Sequence, residues 1–222
     1  MMKKTLFVGL LLAGAAFLAF AQSGVIAEFS GTVELKTARS SSFVPAKTGD
    51  VVAADTIVST GFRSTAVIKV GSSTIAVRPL TRLSLAEIRS ESDSETLKVD
   101  LQAGRVRVEV KPPAGTRANM SVQSPSATAS VRGTDFEFDA RNLKVYEGTV
   151  VLRGNDDIVE VLIPAGRTSY VDGHSRAIDP VEASRHSLEP PAPVGAGLSG
   201  KPSGTTSPAE SPTTGTINVT IN

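Results

Sequence analysis

The chain has 222 residues with 40% hydrophobic and 5% aromatic content, no Trp and no Cys. That length suits one ordinary domain with tails, and the missing cysteines exclude disulfides, thiolate metal sites, a thiol nucleophile and lipid attachment through Cys. The 23 basic and 22 acidic residues give a formal charge of +1, which becomes −1 if Lys3 and Lys4 leave with a leader; with no dense Lys/Arg cluster, the chain lacks the charge that neutralises nucleic-acid phosphates.

Met1-Met2-Lys3-Lys4 is a short cationic start, and residues 5–20 are almost wholly apolar. Ala19-Phe20-Ala21 puts small residues at the −3 and −1 positions before Gln22. This pattern is that of a secretory signal peptide over residues 1–21, cleaved after Ala21. The apolar run is shorter than the ~20 residues a spanning helix needs, and no later stretch qualifies. The expected destination is the periplasm, with secretion or outer-membrane association as alternatives, and no transmembrane segment is expected after cleavage.

From residue 22 to 187 the sequence reads as one all-β domain. Short runs alternate apolar and polar residues with β-branched enrichment: Val67-Ile68-Lys69-Val70, Thr74-Ile75-Ala76-Val77, Leu83-Ser84-Leu85, Leu97-Lys98-Val99-Asp100-Leu101, Val106-Arg107-Val108-Glu109-Val110, Asp135-Phe136-Glu137-Phe138-Asp139 and Val159-Glu160-Val161-Leu162-Ile163. Period two is the strand signal. Turn residues separate the runs: Thr48-Gly49-Asp50, Gly71-Ser72-Ser73, Ala103-Gly104, Glu147-Gly148, Gly154-Asn155-Asp156 and Ala165-Gly166. With aromatics scarce, the core is expected to consist of Val, Ile, Leu and Ala in thin β layers. This spacing alone leaves a roll and a jelly-roll-like sandwich both open. One short helical turn is expected over residues 181–187. Residues 188–215 are rich in Pro, Gly, Ser and Thr and read as a disordered tail. Residues 216–222 (Thr-Ile-Asn-Val-Thr-Ile-Asn) alternate again, as a strand able to add to a sheet edge.

The segment Ser124-Pro125-Ser126-Ala127-Thr128-Ala129-Ser130-Val131-Arg132-Gly133-Thr134-Asp135-Phe136-Glu137-Phe138 resembles the signature of the FecR domain family. The flanking pieces are similar in order: Gly49-Asp50-Val51-Val52 and Arg82-Leu83-Ser84-Leu85 upstream, then Leu101-Gln102-Ala103-Gly104-Arg105, Val145-Tyr146-Glu147-Gly148-Thr149 and Ile163-Pro164-Ala165-Gly166-Arg167. The likeness covers about residues 28–172. It implies a twisted, solenoid-like β-roll outside the cytoplasm. The family's iron-dicitrate sensors also carry a cytoplasmic segment and a receptor-contacting domain; here a leader and a Pro-rich tail stand in those places, so the sigma-regulator role is not expected to carry over.

Gly104, Gly133, Gly148 and Gly166 are expected at corners that need positive φ or close backbone approach. Arg132, Thr134, Phe136 and Glu147 complete the signature set. Arg132 has Asp135, Glu137 and Glu147 as candidate partners. Arg105, Arg107 and Lys111, with Arg117, suggest a basic strip; these three and Arg132 are the candidate ligand contacts, and a solvated sheet face is the simpler reading of the strip. Gly154-Asn155-Asp156-Asp157 reads as a hairpin turn rather than a calcium loop. Only His174 and His186 are present, and no hydrolase, metalloprotease or phosphate-cradling motif occurs. The sequence therefore predicts a non-enzymatic module without cofactor or metal, binding an envelope protein or glycan. The alternatives are an accessory in cell-surface signalling and an envelope protein that self-assembles through β edges. The oligomeric state is left open.

Overall fold

The computed structural model describes residues 23–188. The leader (1–21), the tail from 189 and the segment 216–222 lie outside the described residues. Seventeen strands follow in order: β1 (Gly24–Ser30), β2 (Val33–Lys36), β3 (Val44–Pro45), β4 (Val51–Val52), β5 (Ile57–Thr60), β6 (Thr65–Val70), β7 (Ser73–Val77), β8 (Arg82–Glu91), β9 (Ser94–Ala103), β10 (Val106–Val110), β11 (Arg117–Gln123), β12 (Ala127–Val131), β13 (Asp135–Phe138), β14 (Asn142–Glu147), β15 (Thr149–Gly154), β16 (Glu160–Pro164) and β17 (Thr168–Tyr170). One helix, α1 (Pro180–Leu188), ends the described chain. Among the described residues no helix is long and apolar enough to cross a membrane.

Sheet A runs β4-β1-β6-β7-β10-β13-β14-β17, and sheet B runs β3-β2-β5-β8-β9-β11-β12-β15-β16. Apart from the short edge strands β3 and β4, both orders follow the sequence. The chain thus advances along one axis, switching sheets as it goes. A jelly roll is built from Greek keys, in which the fourth strand returns beside the first; the sequential order here is that of a solenoid-like roll, so the sandwich alternative falls. Neighbours pair antiparallel except β9 with β11, which run parallel.

The alternation sets the core. In β10, Val106, Val108 and Val110 point inward and are almost wholly buried, while Arg107 and Glu109 point out. The inward rows of the two sheets merge into one apolar cluster. Val, Ile, Leu and Ala dominate it, but Phe136 and Phe138 are its largest fully buried side chains. The composition reading missed them because two rings suffice to fill the middle of a thin layer. The sequence reading also missed the length of β8 and β9: their polar ends, Ser90-Glu91 paired with Ser94-Glu95, extend the hairpin without an apolar row to announce it.

Hydroxyls tie successive corners together. Thr60 Oγ1 donates to the Arg78 carbonyl at 2.6 Å and accepts from the Thr81 amide at 3.0 Å. Thr81 Oγ1 in turn accepts from the Arg105 amide at 3.0 Å. Buried turn backbone is thereby satisfied where the sheet ladders stop. The helix starts as its sequence dictates: Asp179 caps it, accepting from the Val181 amide at 2.8 Å, and Pro180 needs no amide partner in the first turn. α1 packs against β17, with Ala183 buried. It ends at Leu188, one residue past the expected domain boundary.

Candidate functional site

Two outward faces carry the residues singled out by sequence. On sheet A, alternation places Arg107 on β10 and Asp135 and Glu137 on β13 side by side in the paired register Arg107↔Glu137 and Glu109↔Asp135. Arg107 holds Asp135 through two bonds, Nε to Oδ1 at 2.9 Å and Nη2 to Oδ2 at 2.6 Å. That bond to Asp135 raises the Arg107 pKa above its ordinary value. Its guanidinium also lies 4.4 Å from the centre of the Tyr146 ring, and the Lys144 amine lies 5.0 Å from the same ring. Glu137 accepts from Arg78 at 3.4 Å and pairs with Arg105 at 3.3 Å, and Arg105 also reaches Asp139 at 3.4 Å. Lys111 pairs with Glu109, which raises the Lys111 pKa.

The stretch read as a basic strip is therefore a charge-balanced lattice. Arg105, Arg107 and Lys111 are each matched by a carboxylate. Arg117 does not join them, since it opens β11 in the other sheet. An open cleft of about 560 Å³ lies between the end of this lattice and α1, lined by Arg105, Glu137, Asp139, Lys144, Tyr170 and Ala183 among others. It offers polar contacts of both signs. Lys144 and Tyr146 were missed in the sequence, although their spacing of two places both on the outer face of β14.

Sheet B presents the second face. An open trough of about 520 Å³ is lined by the short side chains Ser121, Ser130, Thr149 and Val151 and by the longer Lys98, Arg132, Glu160 and Leu162. Lys98 is held by Glu87 at 2.6 Å, which lowers the Glu87 pKa. Arg132 is exposed and, among the described residues, has no ion-pair partner. Two of its expected partners, Asp135 and Glu137, are engaged by Arg107, Arg78 and Arg105 on the opposite sheet; Glu147 is the exposed last residue of β14.

The rest of the signature is architectural in its placement. Gly104, Gly133, Gly148 and Gly166 all take positive φ. Phe136 is fully buried. Thr134 is buried with its methyl side toward Gly148, and its hydroxyl makes no hydrogen bond among the described residues. The polar turn after β15 is engaged internally: Asn155 donates to the Ser124 carbonyl at 2.7 Å, and Asp156 accepts from Ser175 at 2.9 Å. His174 sits in the turn before α1, its amide bonded to Asp172.

Residues 55–151 match the model of the family described as FecR protein. This bears out the resemblance read from the sequence over that span, which holds Gly104, Arg132, Gly133, Thr134, Phe136, Glu147 and Gly148 and stops short of Gly166. No curated protein matches the chain. Two crystal structures of a candidate anti-sigma factor from Parabacteroides distasonis, at 1.65 and 2.50 Å resolution, are similar to it. Each shares 13% identity at a TM-score of 0.43; the matches cover 59% and 58% of this chain and 64% and 62% of those chains, less than two thirds of their length.

Proposed function

We propose that this chain is a non-enzymatic, exported interaction module of the bacterial cell envelope, acting in the periplasm as a component of signal transduction. Its mechanism is presentation of a rigid β surface to an envelope protein. The leader-like start supports export, and the FecR match over residues 55–151 supports a regulatory setting. One observation carries the choice of surface. Arg132 lies within the family signature, lines the sheet B trough and has no ion-pair partner among the described residues, whereas Arg78, Arg105 and Arg107 are all paired with carboxylates. A planar fork with five donors suits a partner's carboxylate or backbone carbonyls. The short hydroxyl-bearing side chains beside it let an extended peptide segment or a glycan lie close to the sheet.

The test is capture from envelope extract by the full chain, by Arg132→Glu and by Lys111→Glu, with mass spectrometry of what is retained. The expected result is a membrane regulator or other envelope protein held by the native chain and by Lys111→Glu, and lost with Arg132→Glu. Equal capture by all three would remove Arg132 and its trough from the reading.

A further inference from the structure

We infer that two copies of this chain pair through the free edge of β16, antiparallel about a two-fold axis at Val161, and so set two Arg132 troughs on one outer face. The pairing goes beyond the partner binding proposed above and does not rest on it. A sheet edge offers unpaired backbone to other chains, and folded proteins guard it. Among the described residues three of the four edges are guarded. β3 and β4 have two residues each, and β3 ends in Pro45. β17 is closed by the segment that leads into α1: the Ile178 amide donates to the Tyr170 carbonyl, and Ser169 donates to the Ile178 carbonyl. β16 pairs only with β15, and among the described residues no strand lies beyond it. Its surroundings are apolar: Ile158 is 94% exposed and Leu162 66%, and Val159 is exposed as well.

The ladder sets which backbone groups face the open side. Ala165 donates to the Gly148 carbonyl, so the pairs Val150↔Ile163 and Leu152↔Val161 are the hydrogen-bonded ones in the antiparallel alternation. Glu160, Leu162 and Pro164 therefore turn their backbone groups away from β15. Pro164 lacks only an amide that β15 does not use, which is where a sheet tolerates Pro. This edge complements itself. With Val161 opposite its own copy, Glu160 and Leu162 of each chain meet Leu162 and Glu160 of the other and exchange backbone bonds. The inward row runs from the buried Ile163 through the half-buried Val161 to the exposed Val159, and the axis brings Val159 of one copy opposite Ile163 of the other, so that the two rows join. Charge fits the same symmetry. Asp156 and Asp157 precede β16 and the exposed Arg167 follows it, so the acidic end of each copy's edge lies beside the basic end of the other's. Arg153, opposite Glu160 in the ladder, offsets the one carboxylate within the strand. Leu162 and Glu160 also line the Arg132 trough, so the pairing places two troughs side by side, and a partner with two matching sites gains avidity.

Analytical ultracentrifugation of the full chain beside full-length Val159→Lys and Leu162→Pro tests this. The native mass is expected to double between about 1 and about 100 μM, while both variants keep the monomer mass. Leu162→Pro removes only an edge-facing amide, and Val159→Lys charges a position that is open to solvent in a single copy; an unchanged circular dichroism spectrum shows that each variant is folded. The chain has no native Cys, so Val161→Cys locates the axis. Facing Cα atoms in such a non-hydrogen-bonded pair are about 4.5 Å apart, within disulfide reach. Under a mild oxidant Val161→Cys is expected to become a covalent dimer, and Val51→Cys, on the short edge strand β4, to stay monomeric. A native chain that is monomeric up to about 100 μM overturns the pairing. Self-association that either folded variant retains overturns it too, as does equal cross-linking of the two single-cysteine chains. Capture through Arg132 is measured separately, so either reading can fail alone.

Discussion

Arg107 grips Asp135 diagonally across β10 and β13, with both carboxylate oxygens bonded and the far side of the guanidinium laid against Tyr146. The pair is worth more than a surface ion pair of the usual kind, because the geometry is bidentate and the Asp135 side chain is only 14% exposed. Arg107 is itself 41% exposed, so screening limits the gain. A double-mutant cycle with Arg107→Ala and Asp135→Asn, followed by urea denaturation, is expected to give a coupling of about 1 kcal/mol. Arg107→Lys recovers little of it, since an ammonium cannot span both oxygens and stack on the ring together. A coupling near zero would mean that the lattice orders the face without stabilising it.

Thr134 gives the opposite sign. Its hydroxyl is buried and has no hydrogen-bond partner among the described residues, so burying it brings no bond in return. Its methyl, in contrast, lies where a Cβ on Gly148 would come within 2.6 Å. Thr134→Val keeps that shape and removes the stranded oxygen. The melting temperature is expected to stay level or rise, by the equivalent of up to about 1 kcal/mol. A clear loss of stability would show that the hydroxyl is paired in solution.

Two glycines with the same backbone handedness should respond differently. A Cβ on Gly104 (φ +89) would lie 2.5 Å from Thr81 Cα and 2.7 Å from the Leu80 carbonyl oxygen, both backbone atoms that cannot swing aside. Gly49 (φ +91) has nothing within 4 Å. Gly49→Ala therefore meets only the left-handed penalty of about 1–2 kcal/mol, whereas Gly104→Ala must also displace the corner that Thr81 holds together, and is expected to cost at least about 1 kcal/mol more. Chemical denaturation of the two variants side by side checks the ordering; equal losses would mean that the corner yields easily.

What the sequence disclosed follows from range. β10 was legible to the residue because Val and charge alternate within five positions, and β13 and β16 came within one residue for the same reason. The order of corners was legible from Gly104, Gly133, Gly148 and Gly166, since a positive φ is a local demand. The lattice was not. Arg107 finds Asp135 at a separation of 28 residues and Arg78 finds Glu137 at 59, and which strands become neighbours is decided by how the chain alternates between sheets. Read locally, Arg105, Arg107 and Lys111 look like a basic strip, and Arg132 looks tied to the acids that follow it. The topology brings carboxylates to Arg105 and Arg107, Lys111 takes Glu109 two residues away, and Arg132, just past β12, lies at the trough of the other sheet.

Asp172 ties the turn that leads into α1. Its carboxylate accepts the amides of Arg176 and His174, each at 2.9 Å, and these bonds, that of Arg176 first, hold its pKa below the ordinary carboxylate value. The turn matters beyond its own residues: the Ser175 carbonyl presses so closely on Gly154 that no side chain fits there, and Ser175 Oγ reaches Asp156. A depressed folded-state pKa means that the unfolded chain takes up the proton first as pH falls. The stabilisation is therefore complete above the unfolded carboxylate value of about 3.9 and is lost as pH drops through the lower folded value. Amide resonances of Arg176 and His174, followed by NMR from neutral pH downward, are expected to move together with a midpoint below about 3.9. In Asp172→Asn that acid transition disappears, and the turn opens at neutral pH because the amide accepts less strongly. A midpoint at or above the ordinary value would show that the turn is held by its backbone alone.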